Sequence, residues 1–434
     1  MKTLGLDIGT TTISAVVYDS NMGVLTSRTV SNDSFLTGQS WERIQDPGVI
    51  CEKSLSVVRE LLNLYPDVSA IGLSGQMHGI LYLDESGDPV SPLYIWQDGR
   101  GDLPYDEHSS WAAHLTELTG YALATGYGMV THYYNLHHNL VPPTAAKLCT
   151  IHDYLAMKLA GRTVPVTEAT DAASLGLYNG PCHCFDLDAL AKAGIDSSIL
   201  PEVVTDPCLG TGMLGIPVFA ALGDNQASFL GATGGQTDVL LVNMGTGGQV
   251  SVYSPDYIQT QTLETRPFPD GGWLLVGASL CGGRSYALLE AFFRDTVKLV
   301  TGQDVSAYEA MAKAMDAAPD LSNSVTVTTL FQGTRKDPSL RGSIRHIGAD
   351  NFTPAHFIHG VMQGMADELY AMYDGYLALG GKPPVSMVGS GNGLRKNPHL
   401  CRIFEKTFGV PLQLSQNDEE AACGAAIYAA KHCQ

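Results

Sequence analysis

The feature that most constrains this 434-residue chain is a repeat. An apolar stretch beginning at Leu4 runs into Gly9-Thr10-Thr11-Thr12 and resumes as Ile13-Ser-Ala-Val-Val-Tyr18; Asn21-Met-Gly23 then turns toward a third apolar run from Val24. β-Branched and aliphatic runs bounded by Gly, Asn and Thr read as strands joined by tight turns. The same grammar returns 236 residues later: Val239-Leu-Leu-Val-Asn243, then Met244-Gly-Thr-Gly-Gly248, then Gln249-Val-Ser-Val-Tyr253. One Gly-Thr turn fits any hairpin. Two, each opening one half of the chain, predict two domains of similar topology, residues 1–234 and 235–434.

Length agrees, since a chain of this size exceeds one ordinary core and fits two domains of roughly 200 residues. Between the turns, Gly48 to Leu64 has helical periodicity and Ser69-Ala-Ile-Gly-Leu-Ser74 reads as a buried strand. Pro354 to Leu379 predicts a long helix, closed by Gly380-Gly-Lys-Pro-Pro384, after which Val385 to Val388 enters Gly389-Ser-Gly-Asn-Gly393. Strands alternating with helices predict α/β layers.

The formal charge of −19 repels nucleic acid and anionic membrane, and no basic block offsets it. An anionic ligand would then rely on backbone N–H groups, helix N-termini and a divalent cation. No apolar run is long enough for a transmembrane helix, and the opening MKTLGLDIGTTT is a strand entering a turn rather than a signal peptide. Nine scattered cysteines fit reduced thiols, and a cytoplasmic location is expected. The cluster Cys182-His183-Cys184 lacks further ligands at metal spacing and is expected to be ordinary loop.

Four clusters stand at strand ends, where α/β proteins place ligands. Asp7 lies beside a glycine turn and the hydroxyls of Thr10, Thr11 and Thr12, a set able to hold phosphate oxygens and Mg²⁺, or equally to cap a hairpin. Gly245 and Thr246 offer the same from the other half. Asp224 and Asn225, after the apolar run Val218 to Leu222, suit a base with an amide neighbour; the alternative is a cap on a helix from Gln226 to Leu230. Gln76, Met77 and His78 combine an amide, an apolar side chain and an imidazole, which suits a small polyol, although a lone histidine is also a common structural residue.

Taken in order, these segments resemble the FGGY family of carbohydrate kinases, within the actin-like, ribonuclease-H-like ATPase superfamily. The resemblance runs over nearly the whole chain. It adds Trp96-Gln-Asp98-x-Arg100, Gly389-Ser-Gly391 and Asp418-Glu-Glu-Ala-Ala-Cys-Gly-Ala-Ala426 to the clusters above. Ile151-His-Asp-Tyr-Leu155, Asp171-Ala-Ala-Ser-Leu-Gly-Leu-Tyr-Asn179 and Ala278-Ser-Leu-x-Gly-Gly283 are most similar to the sedoheptulokinase branch, whereas Gly72 to Gly79 is shared with xylulokinases. The resemblance implies two ribonuclease-H-like α/β domains with an interdomain cleft: an N-terminal domain with sugar site and base, and a C-terminal domain for nucleotide. It implies ATP and Mg²⁺ as cofactors and a ketose as acceptor, and it leaves a homodimer open. Asp224 would be the catalytic base. Gln76, Met77, His78, Asp98 and Asn225 would meet the sugar. Asp7 would hold the metal; Thr10, Thr11, Thr12, Gly245 and Thr246 would face the phosphates; Gly389, Ser390, Gly391 and Asn392 would bind the adenosine. The second turn reads Gly-Thr-Gly-Gly where many relatives have Gly-Thr-Ser-Gly, so position 247 has no hydroxyl to donate. An actin-like nucleotide-binding switch or sugar sensor is the reading from another class; it has no use for both a polyol turn and a base.

Overall fold

The structure, a computed structural model, describes residues 1–212, 215–318, 320–334 and 337–433. The chain forms two compact units: Met1–Gly235 with Arg266–Gly271 and Asn417–Gln434, and Gln236–Thr265 with Gly272–Gln416. The division expected after residue 234 meets the end of the first unit's main segment, and two later segments also belong to that unit.

In the first unit, Lys2–Ile8 lies inside a seven-stranded sheet ordered Cys208–Gly210, Val218–Phe219, Val68–Gly75, Lys2–Ile8, Thr12–Asp19, Gly23–Ser31, with Leu222–Gly223 also paired to Val68–Gly75. Lys2–Ile8 is antiparallel to Thr12–Asp19 and parallel to Val68–Gly75. Side chains alternate across a strand. Leu4, Leu6 and Ile8 are therefore buried on one face, in a core with Ile50, Val58 and Leu61 of the Pro47–Leu64 helix. That helix starts where the sequence predicts, because Asp46 accepts from the N–H groups of Gly48 and Val49 and proline occupies its first turn.

The opposite face carries Thr3, Gly5 and Asp7 and receives the Glu420–His432 helix. Thr3 Oγ1 donates to the Ala426 carbonyl at 2.9 Å. A Cβ at Gly5 would stand 1.8 Å from the Ala422 carbonyl oxygen, and one at Gly72 2.0 Å from that of Ala425. The same helix meets Asp224–Thr233 through Gly424 and Gly231, where added Cβ atoms would lie 1.8 Å from the carbonyl oxygens of Ala227 and Glu420. The small residues of Asp418–Ala426 thus let backbone lie on backbone, which a larger side chain forbids.

In the second unit the strand order is Trp273–Ser279, Gly248–Ser254, Val239–Met244, Ser386–Ser390, Leu412–Leu414. Val239–Met244 is antiparallel to Gly248–Ser254 and parallel to Ser386–Ser390. This repeats the pairing of Lys2–Ile8 with its two neighbours, so the sequence repeat is a repeat of topology. The offset holds through the Gly-Thr step and then drops by one: Ile8 pairs with Ile13, whereas Met244 pairs with Gly248. Leu240, Val242, Val250, Leu275 and Met387 form a core with Val361, Met365 and Leu369 of the Pro354–Ala378 helix.

Two expectations are corrected. The run Val218 to Leu222 is two short strands, because Val218 pairs with Ile71 and Leu222 with Ser74, leaving an extra residue near Ala220, whose N–H turns to the Pro207 carbonyl. The helix expected from Gln226 begins at Asp224; Gly223 is its cap residue and makes no side-chain cap bond. Cys182, His183 and Cys184 lie in a short helical turn and an exposed bridge, and no group of three metal-binding side chains occurs among the described residues. No helix among the described residues is long and apolar enough to cross a membrane.

Candidate active site

Asp7 and Asp224 both stand at strand ends of the first unit. Ser74, opposite Asp7 in the parallel register, donates its hydroxyl to Asp7 Oδ1 at 2.8 Å. A Cβ at Gly9 would lie 3.9 Å from Oδ2, so the second carboxylate oxygen faces the turn. Burial raises the Asp7 carboxyl above its ordinary range and the Glu419 charge adds to this, while Ser74 and His152 oppose it. Asp224 is the first residue of Asp224–Thr233, where the helix dipole favours the anion. The Gly223 N–H before it donates to Thr170 Oγ1 at 3.1 Å. Burial, then the charge of Asp7, push the Asp224 carboxyl up to about 7, against His152 and Arg266. The Asp224 side chain remains partly accessible, so a ligand can reach it. The buried Oδ1 of Asn225 has no partner among the described residues.

Beneath these carboxylates lies a pair to which the sequence assigned no role. His152, in the first turn of Ile151–Leu159, touches Asp171 of Ala169–Leu175 through Nε2, and both side chains are fully buried. Burial lowers the His152 imidazole and raises the Asp171 and Asp153 carboxyls well above their ordinary range. Both residues stand in segments that carried the family resemblance, and only the fold brings them under Asp224.

The turn residues divide into those that face inward and those that do not. Thr10 Oγ1 donates to Gln76 Oε1 at 3.0 Å, Gln76 Nε2 to Gln45 Oε1 at 3.0 Å, and Gln45 Nε2 to the Thr10 carbonyl at 2.8 Å. Trp96 Nε1 donates to Thr10 Oγ1 at 3.0 Å. Gln76 is buried inside this ring, so its amide is taken up by protein rather than presented to a sugar. Gln45 closes the ring and carried no sequence signal. Thr11 and Thr12 are exposed, and Asn32 Nδ2 pins the turn through the Gly9 carbonyl at 2.8 Å. Met77 is buried with its thioether against Gly223, where any Cβ would lie 2.9 Å from Cε. It therefore backs the start of the Asp224–Thr233 helix. His78, at φ 75°, is held by Ser174, whose carbonyl is 2.7 Å from Nδ1, and meets Tyr127 with ring centroids 4.4 Å apart and planes tilted by 38°.

Asp98 departs furthest from its expected role. Its side chain is completely buried and accepts from Arg100 Nε at 2.6 Å, Arg100 Nη2 at 3.2 Å and the Arg43 N–H at 3.0 Å. The Arg100 guanidinium is itself enclosed by Tyr94, Trp41 and Tyr134, 4.2, 5.5 and 5.6 Å from the ring centroids. Fully buried and held by Arg100 and the Arg43 N–H, this carboxylate is packed as part of the protein interior.

The second unit holds a cavity of about 910 Å³ lined by Gly245, Thr246, Tyr286, Tyr308, Gly391 and Asn392, among others. Its size and mixed lining suit a nucleoside. Tyr286 and Tyr308 stack with centroids 5.9 Å apart. Gly391, at φ 81°, passes so close to Met244 that a Cβ would lie 2.6 Å from its carbonyl oxygen. Gly389 and Ser390 are not among the lining residues; Ser390 is buried and accepts from Asn243 Nδ2 at 2.6 Å. Sequence reasoning missed Arg284, Tyr286 and Tyr308, which come from helices distant in the chain from the turn, and Lys396, which caps the short helix that Asn392 begins. The Gly282–Thr301 helix docks on the turn, with Gly283 and Arg284 N–H donating to the Gly245 and Thr246 carbonyls at 3.0 Å each.

Comparison with known proteins agrees with this architecture. Residues 2–231 match the N-terminal domain, and residues 240–433 the C-terminal domain, of the FGGY family of carbohydrate kinases. A sedoheptulokinase of Mus musculus is 29% identical, covering 98% of this chain and 96% of that protein. A xylulose kinase of Bacillus subtilis (strain 168) is 24% identical, covering 98% and 87%. Among solved structures, the xylulose kinase of Rhodospirillum rubrum superposes with TM-score 0.82 at 21% identity, covering 99% of this chain and 89% of that one. A glycerol kinase of Plasmodium falciparum with ADP gives 0.80 at 17%, covering 99% and 89%. With both family domains matched in order and each unit built on the same strand–turn–strand repeat, the chain belongs to the FGGY family of carbohydrate kinases.

Proposed function

We propose that this kinase phosphorylates a terminal hydroxyl of a ketose, converting sedoheptulose to sedoheptulose 7-phosphate with ATP as donor. The observation that carries the base assignment is Asp224: partly accessible, at a helix N-terminus, with its carboxyl pushed up to about 7. A base is most effective when its pKa lies near the working pH. Asp224 takes the proton of the sugar hydroxyl; the oxygen forms the new bond to the γ-phosphorus as the bond to ADP breaks. Asn225, with an unpaired buried Oδ1, accepts from a second sugar hydroxyl, and His78 bounds the same site.

The nucleoside occupies the cavity around Tyr286 and Asn392, and Gly245 and Thr246 present the turn to its phosphates. Mg²⁺ neutralises phosphate charge when bound. Asp7 fits it, with one carboxylate oxygen fixed by Ser74 and the other toward the turn, the hard oxygen donor that this cation prefers. Likeness to the sedoheptulokinase favours the seven-carbon ketose; likeness to the xylulose kinase supports a pentulose as the second reading. ADP formation with sedoheptulose, D-xylulose, D-ribulose, L-ribulose, L-fuculose and glycerol separates them. Preference for sedoheptulose is expected. Preference for xylulose replaces the substrate but keeps the mechanism, and ATP binding without sugar-dependent turnover would return the sensor or scaffold reading.

A further inference from the structure

The two turns share one more element, and it differs in charge. In the first unit Asp7 pairs in parallel register with Ser74, and the Ser74 hydroxyl donates to Asp7 at 2.8 Å. In the second unit the equivalent position is Asn243. It pairs in the same parallel register with Ser390, and Asn243 Nδ2 donates to Ser390 Oγ at 2.6 Å. Strand pairing, serine partner and distance from the Gly-Thr step are repeated; the carboxylate has become an amide, and the hydrogen bond has reversed direction. Asn243 is partly accessible, and a Cβ at Gly245 would lie 3.6 Å from its Oδ1, so the amide oxygen faces the residue that lines the large cavity.

A carboxylate at this point would place a negative charge beside the phosphates of any nucleotide in that cavity. Asn243 does not itself line the cavity but stands behind Gly245, which does; in a partly desolvated site, like charges within several ångströms of each other repel by more than the ~1.4 kcal/mol that corresponds to tenfold in affinity. We infer that Asn243 is a positioning residue that keeps the second turn uncharged, so that this turn takes nucleotide phosphates through its backbone while the divalent cation is left to the Asp7 turn. The inference rests on the nucleotide reading above and concerns which turn holds which charge.

The test is calorimetric binding of ADP to the full chain, with EDTA and with Mg²⁺, for the wild type, Asn243→Asp and Asn243→Ser. Asn243→Asp is expected to weaken Mg²⁺-free ADP about tenfold or more, with Mg²⁺ restoring part of the loss by bridging the new carboxylate. Asn243→Ser, which removes the amide but adds no charge, is expected to stay within about threefold. Mg²⁺-free ADP binding to Asn243→Asp at wild-type strength overturns the inference, as does an equal loss in both variants, which would make the amide's shape rather than its neutrality decisive. Should Asn243→Asp fail to fold, Asn243→Ser decides alone, since a tenfold loss there has the same meaning. A wild-type chain that binds no ADP would overturn the nucleotide reading itself.

Discussion

Arg100 Nε lies 2.6 Å from Asp98 Oδ1, with side chains 1% and 0% exposed. Removing Asp98 leaves the buried Arg100 charge with only the longer contact to Glu42, 3.7 Å from Nη2, and breaking a buried pair costs roughly 3–5 kcal/mol. Asp98→Ala is therefore expected to lower the melting temperature by several degrees and to reduce the yield of folded protein. The check is thermal unfolding beside sugar KM for the folded fraction. A variant of normal stability that loses only sugar affinity would instead put Asp98 in contact with the sugar, as the family resemblance implied.

Catalysis through Asp224 requires the carboxylate. With its carboxyl pushed up to about 7, kcat/KM for the sugar is expected to fall tenfold per pH unit below about 7 and to level off above it. Asp224→Ala is expected to lose about 10²–10⁴-fold in turnover while still binding ADP. A rate profile flat from pH 5.5 to 8, or near-wild-type turnover in the variant, would remove Asp224 as the base.

The same displaced ionisation affects stability. A carboxyl raised in the folded state binds its proton more tightly than in the unfolded chain, so stability is fully present below the unfolded value near 4. It is lost progressively as pH rises toward about 7. Asp224→Asn, which mimics the protonated form, is expected to melt above the wild type at pH 8, by about 2 °C or more. At pH 5 the gap should be clearly smaller, since there only the first part of the loss has occurred. Scanning calorimetry at both pH values checks this, and a variant less stable than wild type at pH 8 would contradict it.

The sequence shows the parts of this site that depend on local spacing. Both Gly-Thr turns, Asp7 and Asp224 stand out because each sits where an apolar strand ends in a small polar turn, and a repeat at fixed offset survives any uncertainty about element boundaries. Residues defined by long-range contact leave no such trace. Gln45 completes the ring through Thr10 and Gln76 from a short edge strand, and His152 and Asp171 meet only because two helices bring them together. The inward turn of Asp98 depends on an arginine two residues away, whose burial no pattern reveals. Ser390 belongs to a motif that reaches the cavity, yet strand alternation sends its own side chain to Asn243, leaving Gly391 and Asn392 to line the cavity.

At Gly247, where the family resemblance implies a serine, the structure supplies a steric reason for glycine beyond the missing hydroxyl. A Cβ at this position would lie 2.7 Å from the Ser279 carbonyl oxygen, at the end of the strand paired with the turn's second strand. Gly282 closes the other side, since its own Cβ would be 2.3 Å from the Gly247 carbonyl carbon. Backbone therefore surrounds the turn, and a side chain can enter only by moving it. Gly247→Ser is expected to cost about 1–3 kcal/mol, the usual range for overpacking. Because Gly245 and Thr246 line the cavity, the displaced turn should also weaken ADP binding by about tenfold, a loss of ~1.4 kcal/mol. Melting temperature and ADP calorimetry test both effects together. Unchanged stability with tighter ADP binding would mean that the strand Trp273–Ser279 yields and that the added hydroxyl reaches the phosphates, so that the glycine reflects ancestry rather than fit.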